Sequence, residues 1–291
     1  MHRRALLGTL LAGVALRAPA AASRPVPAQQ DRFFRTSDGI RLHYIAAGPP
    51  NAHTIVLVPG WTMPAWIWSR QIAYFSRSYR VIAFDPRGQG DSQIAAGGYE
   101  QNRRGQDIAE LIAALGNQSV LLVGWSLGVL DALAYVHSHG DSRLAGLVLI
   151  DNSVGENPPP TPSRTPYHAG RKLPRPVMMR NFVRSMFAHP QPAGWLDQLT
   201  RTALRTPEAA ADALLAYPVP RTYWKAAIYA THKPILYIVR ARLAGQAGNL
   251  AANHPDAQSV VLRDVGHALF VDNAPRFNTR LAGFIRQHVW R

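Results

Sequence analysis

The chain has 291 residues, 47% of them hydrophobic, no cysteine and a formal net charge of +15. The length suits one large α/β domain with an appendage, and the missing cysteine excludes disulfides, a thiol nucleophile and a cysteine-based metal site. The positive charge admits nucleic acid, an anionic surface or an acidic substrate, but no basic run interleaved with aromatics reads as a nucleic-acid groove, and solvated arginine-rich faces account for it as well.

Met1-His2-Arg3-Arg4, then the apolar stretch Ala5 to Leu16 and the small-residue sites around Ala18 to Ala22, have the form of an export signal over 1–22. The apolar stretch is short for a membrane span. The expectation is a periplasmic or secreted protein with no stable membrane insertion once the signal is cleaved. Arg3-Arg4 leaves twin-arginine and general export open.

Phe33 to Ala47 reads as a hairpin turning at Ser37-Asp38-Gly39. Thr54–Val58 and Arg80–Phe84 are apolar runs of the kind buried on both faces of a sheet. Helical spacing covers Trp66 to Ser76 and Gln101 to Leu115. Val120 to Trp125 is a further strand, a helix follows from Leu127, and Leu144 to Ile150 is the next strand. The Pro-rich run from Asn157 to Pro166 can be neither central strand nor helix interior. Beyond it, to about Tyr229, apolar residues recur at helical spacing. Strand pattern resumes at Pro234–Val239 and again at Ser259–Leu262, with helices over Leu243–Asn253 and Asn273–Val289. Strands alternating with helices predict an α/β fold with a mostly parallel, doubly wound sheet. The expected division is a core of residues 30–151 and 231–291 with a helical cap over 152–230.

Gly124-Trp125-Ser126-Leu127-Gly128 lies between a strand and a helix, the sequence form of a nucleophile elbow. Side chains at the two glycines would clash with the neighbouring strand and helix. The turn lifts the Ser126 hydroxyl out at the carboxyl end of the strand and leaves the Leu127 amide at a helix N-terminus, suited to an oxyanion. A serine needs a base, and ligands bind at the carboxyl ends of such strands. His267, after Gly266 and past the last strand, is placed for that role; His2 is in the leader, and His53, His137, His139, His189 and His254 are in the cap or at helix or strand ends on the wrong rim.

The chain resembles the α/β-hydrolase superfamily over about residues 30–290. Gly124 to Gly128 and Gly266-His267 carry the resemblance, with Val58-Pro59-Gly60-Trp61 and Asp85-Pro86-Arg87-Gly88-Gln89-Gly90-Asp91-Ser92 adding order. It implies Ser126 as nucleophile, His267 as base, and an oxyanion hole from the Trp61 and Leu127 amides. Pro59-Gly60 replaces the usual His-Gly, which spares a backbone donor. Asp85 and Asp91 read as residues that fix the Arg87-Gly88 loop. The family's usual acid follows the strand at 235–239, yet no Asp or Glu occurs between Asp212 and Asp256. Asp256 precedes the last strand, on the wrong rim. Asp151 ends the strand beside that of Ser126, where some members carry the acid, and Asp264 is the second candidate.

What the resemblance implies is ester hydrolysis of a small molecule by a Ser126–His267–Asp151 triad, without metal or organic cofactor. Cofactor-free perhydrolases (haloperoxidases), lactonases, amidases and C–C bond hydrolases share the machinery, and a serine nucleophile argues against dehalogenation. A non-catalytic ligand-binding protein on the same scaffold is the reading from another class. Trp66 and Trp125, with cap aromatics such as Phe182, Phe187, Trp195, Tyr223 and Trp224, are candidates to line a substrate pocket. Arg164, Arg171, Lys172, Arg175, Arg180 and Arg184 are candidates for contact with an anionic surface.

Overall fold

The computed structural model of the chain describes residues 27–160, 173–216 and 218–290. The expected leader over 1–22, part of the Pro-rich entry to the cap, and Arg164, Arg171 and Lys172 lie outside the described residues.

Eight strands form one sheet: β1 (Gln30–Arg35), β2 (Arg41–Ala47), β3 (Thr54–Val58), β4 (Arg80–Asp85), β5 (Val120–Trp125), β6 (Leu144–Ile150), β7 (Ile235–Arg240) and β8 (Ala257–Leu262). Their spatial order is β1-β2-β4-β3-β5-β6-β7-β8. The β1–β2 hairpin joins β4 antiparallel, and every other pairing is parallel. Every residue of β3 and β5 is buried, as expected of apolar runs in a sheet covered on both faces. At one edge, β1 is exposed and carries Asp31, Arg32 and Arg35, charges that discourage pairing with another chain. At the other edge β8 begins two residues earlier than the apolar run, because Ala257 and Gln258 pair with Ile235 and Leu236 despite their weak hydrophobicity.

The covering helices include α1 (Ser69–Phe75), α2 (Gln101–Ala114) and α3 (Leu127–His139). The segment expected as one helix over 66–76 begins with a tighter turn at Ala65–Trp68 before α1. Between β6 and β7, within the expected 152–230 insertion, lie α4 (Arg175–Ser185), α5 (Ala193–Leu204), α6 (Glu208–Leu214) and α7 (Arg221–Tyr229). Proline stands just before each of the four, at positions 174, 192, 207 and 220. Its ring fixes φ near helical values, and it has no N–H to leave unpaired at a helix start. After β7 comes α8 (Ala244–Asn253). The expected closing helix over 273–289 is α10 (Ala274–Phe284) continued by a wider turn at Ile285–Val289, and a short α9 (Leu269–Asp272), not expected from the sequence, precedes it. Asn273 separates the two and caps α10, its side-chain oxygen accepting from the Arg276 N–H at 3.2 Å.

Around α6 the cap is tied to the core at four points: Thr206 Oγ1 donates to Gly88 O (2.8 Å), Trp61 Nε1 to Ala211 O (2.7 Å), Arg104 Nη1 to Leu214 O (3.2 Å) and Gln101 Nε2 to Ala216 O (3.0 Å). Buried Glu156 forms a second anchor, accepting from Lys225, Tyr229 and Asn249. Arg175 joins these internal contacts, donating to the carbonyls of Leu204 and Thr206, while Arg180 and Arg184 are exposed. Of the three described members of the basic cap set, two therefore face solvent. Among the described residues no helix is long and apolar enough to cross a membrane.

Candidate active site

Parallel strands bring the residues that follow β3, β4, β5, β6, β7 and β8 to one rim of the sheet. Ser126 stands there after β5 with φ 54° and ψ −119°, a strained conformation for a residue with a Cβ. The surroundings enforce it. A Cβ on Gly124 would lie 2.3 Å from Gly128 O, and one on Gly128 would lie 2.5 Å from Val58 O, so only glycine allows helix, elbow and β3 to approach so closely. The Ser126 N–H donates to Ile150 O at 2.9 Å, and its carbonyl accepts from Asn152 Nδ2 at 2.8 Å.

His267 follows β8, and its Nε2 lies 2.8 Å from Ser126 Oγ. Its Nδ1 lies 2.7 Å from Asp151 Oδ2. The carboxylate can only accept, so Nδ1 carries the proton and Nε2 is left to accept from the serine hydroxyl. Several contacts hold the loop. Trp125 Nε1 donates to His267 O (2.8 Å), the Gly266 N–H to Asp272 Oδ2 (2.6 Å) and the Ala268 N–H to Met186 O (2.9 Å). A Cβ on Gly266 would lie 2.4 Å from that Met186 carbonyl. The end of α4 thus presses directly on the histidine loop.

Asp151 follows β6 with φ 49°, and its N–H donates to Ile238 O. It is 1% exposed. The loop after β7 carries no acid, but a basic residue that the sequence alone does not single out fills the place beside Asp151. Arg240 stands there, donating its backbone N–H to Asp151 Oδ1 (3.0 Å) and its Nε to Asp151 Oδ2 (2.6 Å). Its Nη2 is 3.5 Å from His267 Nδ1. The signal in the sequence was an arginine closing an apolar strand at the functional rim, but only the pairing of β6 with β7 brings it to Asp151. Burial pushes the Asp151 carboxyl up. The hydrogen bond and charge of His267, with Arg240, outweigh burial and hold it below the ordinary carboxylate range.

Asp264 is exposed, its carbonyl accepts from His189 Nε2 at 2.8 Å, and among the described residues its carboxylate makes no contact with His267. Asp256 is exposed at the start of β8, at the opposite end of the sheet. Leu127 opens α3 beside Ser126. The Gly60–Trp61 turn lies against the serine: a Cβ on Gly60 would be 2.9 Å from Ser126 Cβ. Trp125, expected to contact substrate, is 1% exposed and spends its indole N–H on the histidine loop. Its role is corrected to support of His267, since a fully buried ring offers no face to a ligand. Trp66 is half-buried and meets the cap edge-on at Trp195, as Trp61 does at Phe182. Tyr223 stacks on His137 and donates to Asn102, packing the cap onto α3 and α2 and away from Ser126.

Asp85 accepts from His43 Nδ1 (2.7 Å), from the Asp91 N–H (2.9 Å) and from the Ala65 N–H. It does fix the loop after β4. Arg87 takes other partners, a two-point pair with buried Asp107 (2.6 and 2.7 Å) and a bond to Asp38, while the Asp91 side chain pairs with Arg205 of the cap. Among the described residues His43, Asp85 and Asp91 form the one cluster with ligand atoms close enough for a metal ion. Their mutual hydrogen bonds account for the arrangement, and it lies outside the Ser126–His267–Asp151 relay.

The profile of the alpha/beta hydrolase family matches residues 55–280. A non-heme haloperoxidase of Rhodococcus erythropolis is 35% identical over 119 residues, 40% of this chain and 43% of that protein. A bifunctional esterase/perhydrolase of Acinetobacter calcoaceticus is 29% identical over 199 residues, 66% of this chain and 67% of that protein. The matches to the first relatives thus span less than half of those proteins' length. Among solved structures, a Burkholderia cenocepacia protein assigned as an aryl esterase superposes with a TM-score of 0.80 at 25% identity, covering 90% of this chain and 100% of that one. The bromoperoxidase from Bacillus anthracis does so with a TM-score of 0.75 at 21% identity, covering 89% and 100%, a likeness of fold. The chain belongs to the alpha/beta hydrolase family.

Proposed function

We propose that this protein is an exported serine hydrolase that cleaves carboxylic esters through an acyl-enzyme. The observation that carries the reading is the continuous relay from Ser126 Oγ through His267 to Asp151, with contacts of 2.8 and 2.7 Å, on a strained elbow at the mouth of the sheet. Ser126 Oγ attacks the ester carbonyl while His267 Nε2 takes its proton. Asp151 steadies the resulting imidazolium without taking the proton. The Leu127 and Trp61 amides bind the oxyanion. His267 then protonates the departing alcohol. Water, losing a proton to His267, releases the acid and restores Ser126. Neither round calls on a metal or organic cofactor. Half-buried Trp66, edge-on to Trp195 of the cap, suits an apolar acyl group, and the strongly positive net charge with exposed Arg180 and Arg184 supports a weak contact with anionic surfaces.

A second reading on the same residues is perhydrolysis, in which hydrogen peroxide takes the place of water at the acyl-enzyme and a peracid leaves. The names of the haloperoxidase and esterase/perhydrolase relatives favour it. The test is labelling with a fluorophosphonate probe, followed by turnover of nitrophenyl esters of graded chain length with and without hydrogen peroxide. An adduct on Ser126 with ester turnover is expected, and absence of both would sink the hydrolase reading in favour of a binding protein. Sequencing the N-terminus of the mature protein tests export; a retained Met1 in the recovered extracytoplasmic protein would overturn cleavage over 1–22.

A further inference from the structure

Gln89 sits in the Arg87-Gly88-Gln89-Gly90 loop after β4 and is 1% exposed. Its side chain does not reach Ser126, His267 or Asp151. It is spent on the turn from Gly60 to Met63. Oε1 accepts from the Thr62 N–H at 2.6 Å, and Nε2 donates to Gly60 O at 3.2 Å and Met63 O at 3.4 Å. Thr62 is fully buried and has φ 60°. That is the left-handed region, and a β-branched residue there is a genuine outlier. The turn closes with the Met63 N–H on Gly60 O at 3.1 Å. Thr62 therefore occupies the third position of a four-residue turn, where glycine is usual. Such a conformation persists only where the surroundings over-determine it, and the Gln89 carboxamide is what does so.

The geometry has a consequence for chemistry. The Gly60 carbonyl and the Trp61 N–H belong to one planar peptide and point in opposite directions. A donor that anchors Gly60 O therefore aims the Trp61 N–H the other way. Gly60 already lies against the Ser126 Cβ. The anchor itself is rigid. The Gln89 N–H donates to Pro86 O (2.9 Å), its carbonyl accepts from Ser92 (3.1 Å), and Gly90, at φ 51°, leaves no room for a side chain against Asp85. The Trp61 indole is held from the other side by Ala211 O of the cap.

We propose that Gln89 is a positioning residue for oxyanion stabilisation: its carboxamide sets the plane of the Gly60–Trp61 peptide and so aims the Trp61 N–H at the oxygen that turns negative when Ser126 attacks. The inference rests on the hydrolase reading above. Loss of an oxyanion donor outright costs about 10²- to 10³-fold in kcat. Misaiming it costs less, on the order of 10- to 100-fold.

The test is Gln89→Leu, which keeps the volume and removes all three bonds. kcat is measured per Ser126 site titrated with a fluorophosphonate, so that unfolded protein is not counted. KM and the affinity for an alkyl trifluoromethyl ketone are measured alongside; that ketone adds Ser126 Oγ to its carbonyl carbon and leaves an oxyanion in the hole. A fall in kcat of about tenfold or more, KM within about threefold, and a parallel fall in ketone affinity support the proposal. Unchanged kcat per site and unchanged ketone affinity overturn it, as does a loss confined to KM. Gln89→Asn, whose shorter carboxamide cannot span Gly60 O and Thr62 N together, is measured in the same way if the leucine variant does not fold, and is judged by the same outcomes. A wild-type protein that neither labels nor hydrolyses esters overturns the hydrolase reading itself, which separates that failure from failure of the Gln89 assignment.

Discussion

Asp151→Asn is the sharpest test of the relay. The native carboxylate accepts three bonds, from Arg240 N–H (3.0 Å), Arg240 Nε (2.6 Å) and His267 Nδ1 (2.7 Å). An asparagine of the same shape keeps its oxygen on the Arg240 N–H. Its NH₂ group then faces two donors, Arg240 Nε–H and His267 Nδ1–H. The imidazole escapes the conflict by moving its proton to Nε2, so that Nδ1 accepts from the carboxamide. Nε2 then points a proton at Ser126 and cannot take one. The same change in a serine-protease triad costs ~10⁴-fold in kcat, equivalent to ~5.5 kcal/mol of barrier. The lost charge-assisted bond from Arg240 removes about 2 kcal/mol of stability, discounted for an arginine that is partly exposed, or roughly 4–8 °C in Tm. The pH dependence follows the same carboxyl. Its folded value lies below the ordinary 3.8, so the stability it adds is complete above that ordinary value and shrinks as pH falls through the folded one. The gap in melting temperature between wild type and Asp151→Asn should therefore narrow in acid. Ester turnover and thermal melts read both effects. Turnover within about tenfold of wild type, with the large loss appearing in Asp264→Asn instead, would refute the assignment.

Other expectations can be read in the same assays. Arg240→Ala should lower kcat about tenfold, because Asp151 keeps His267 as its only side-chain partner; Arg240→Lys should recover little, since an ammonium does not reproduce the Nε contact, and unaltered turnover in Arg240→Ala would count against a role in holding Asp151. Gly124→Ala puts a Cβ 2.3 Å from Gly128 O, a backbone contact that no rotamer relieves. It should cost more than ~3 kcal/mol, and a melt unchanged within a degree or two would show that the elbow can relax. Gly266→Ala pushes against Met186 O at 2.4 Å and should depress kcat more than Tm by shifting His267; wild-type kcat would refute the idea that α4 seats this loop. Burial works against a charge on His43, but the hydrogen bond and charge of Asp85, the hydrogen bond of Asp31 and the charge of Asp91 outweigh it, raising its pKa above 6.5. The stability it contributes is complete below 6.5 and is lost as pH rises through the raised value. His43→Gln should thus destabilise more at pH 5 than at pH 9, and an equal or reversed difference in chemical denaturation would refute the linkage.

Most of the sheet was legible in the sequence because a strand buried on both faces must be apolar along its whole length. Thr54–Val58 and Leu144–Ile150 occur where the apolar runs stand. Boundaries slipped where pairing, not hydrophobicity, decided, as at Ala257 and Gln258, and α9 left no trace because four residues are too few to show helical spacing. The candidate site was legible in its local chemistry. Two glycines around a serine state how closely three backbones approach, and a histidine or aspartate just after a buried strand is delivered to one rim by parallel pairing. Its contacts across the sheet were not. The sequence shows an acid missing after β7 but not that Arg240 takes its place against Asp151. It shows a tryptophan beside Ser126 but not that the ring turns inward to hold His267. It shows Gln89 in a turn-rich loop but not the carboxamide's reach across to Gly60 and Thr62. Local composition determines which elements form and which residues can react. The tertiary structure alone decides the partners of a buried polar group, because they come from strands and loops distant in the chain and are chosen by which groups must satisfy one another away from water.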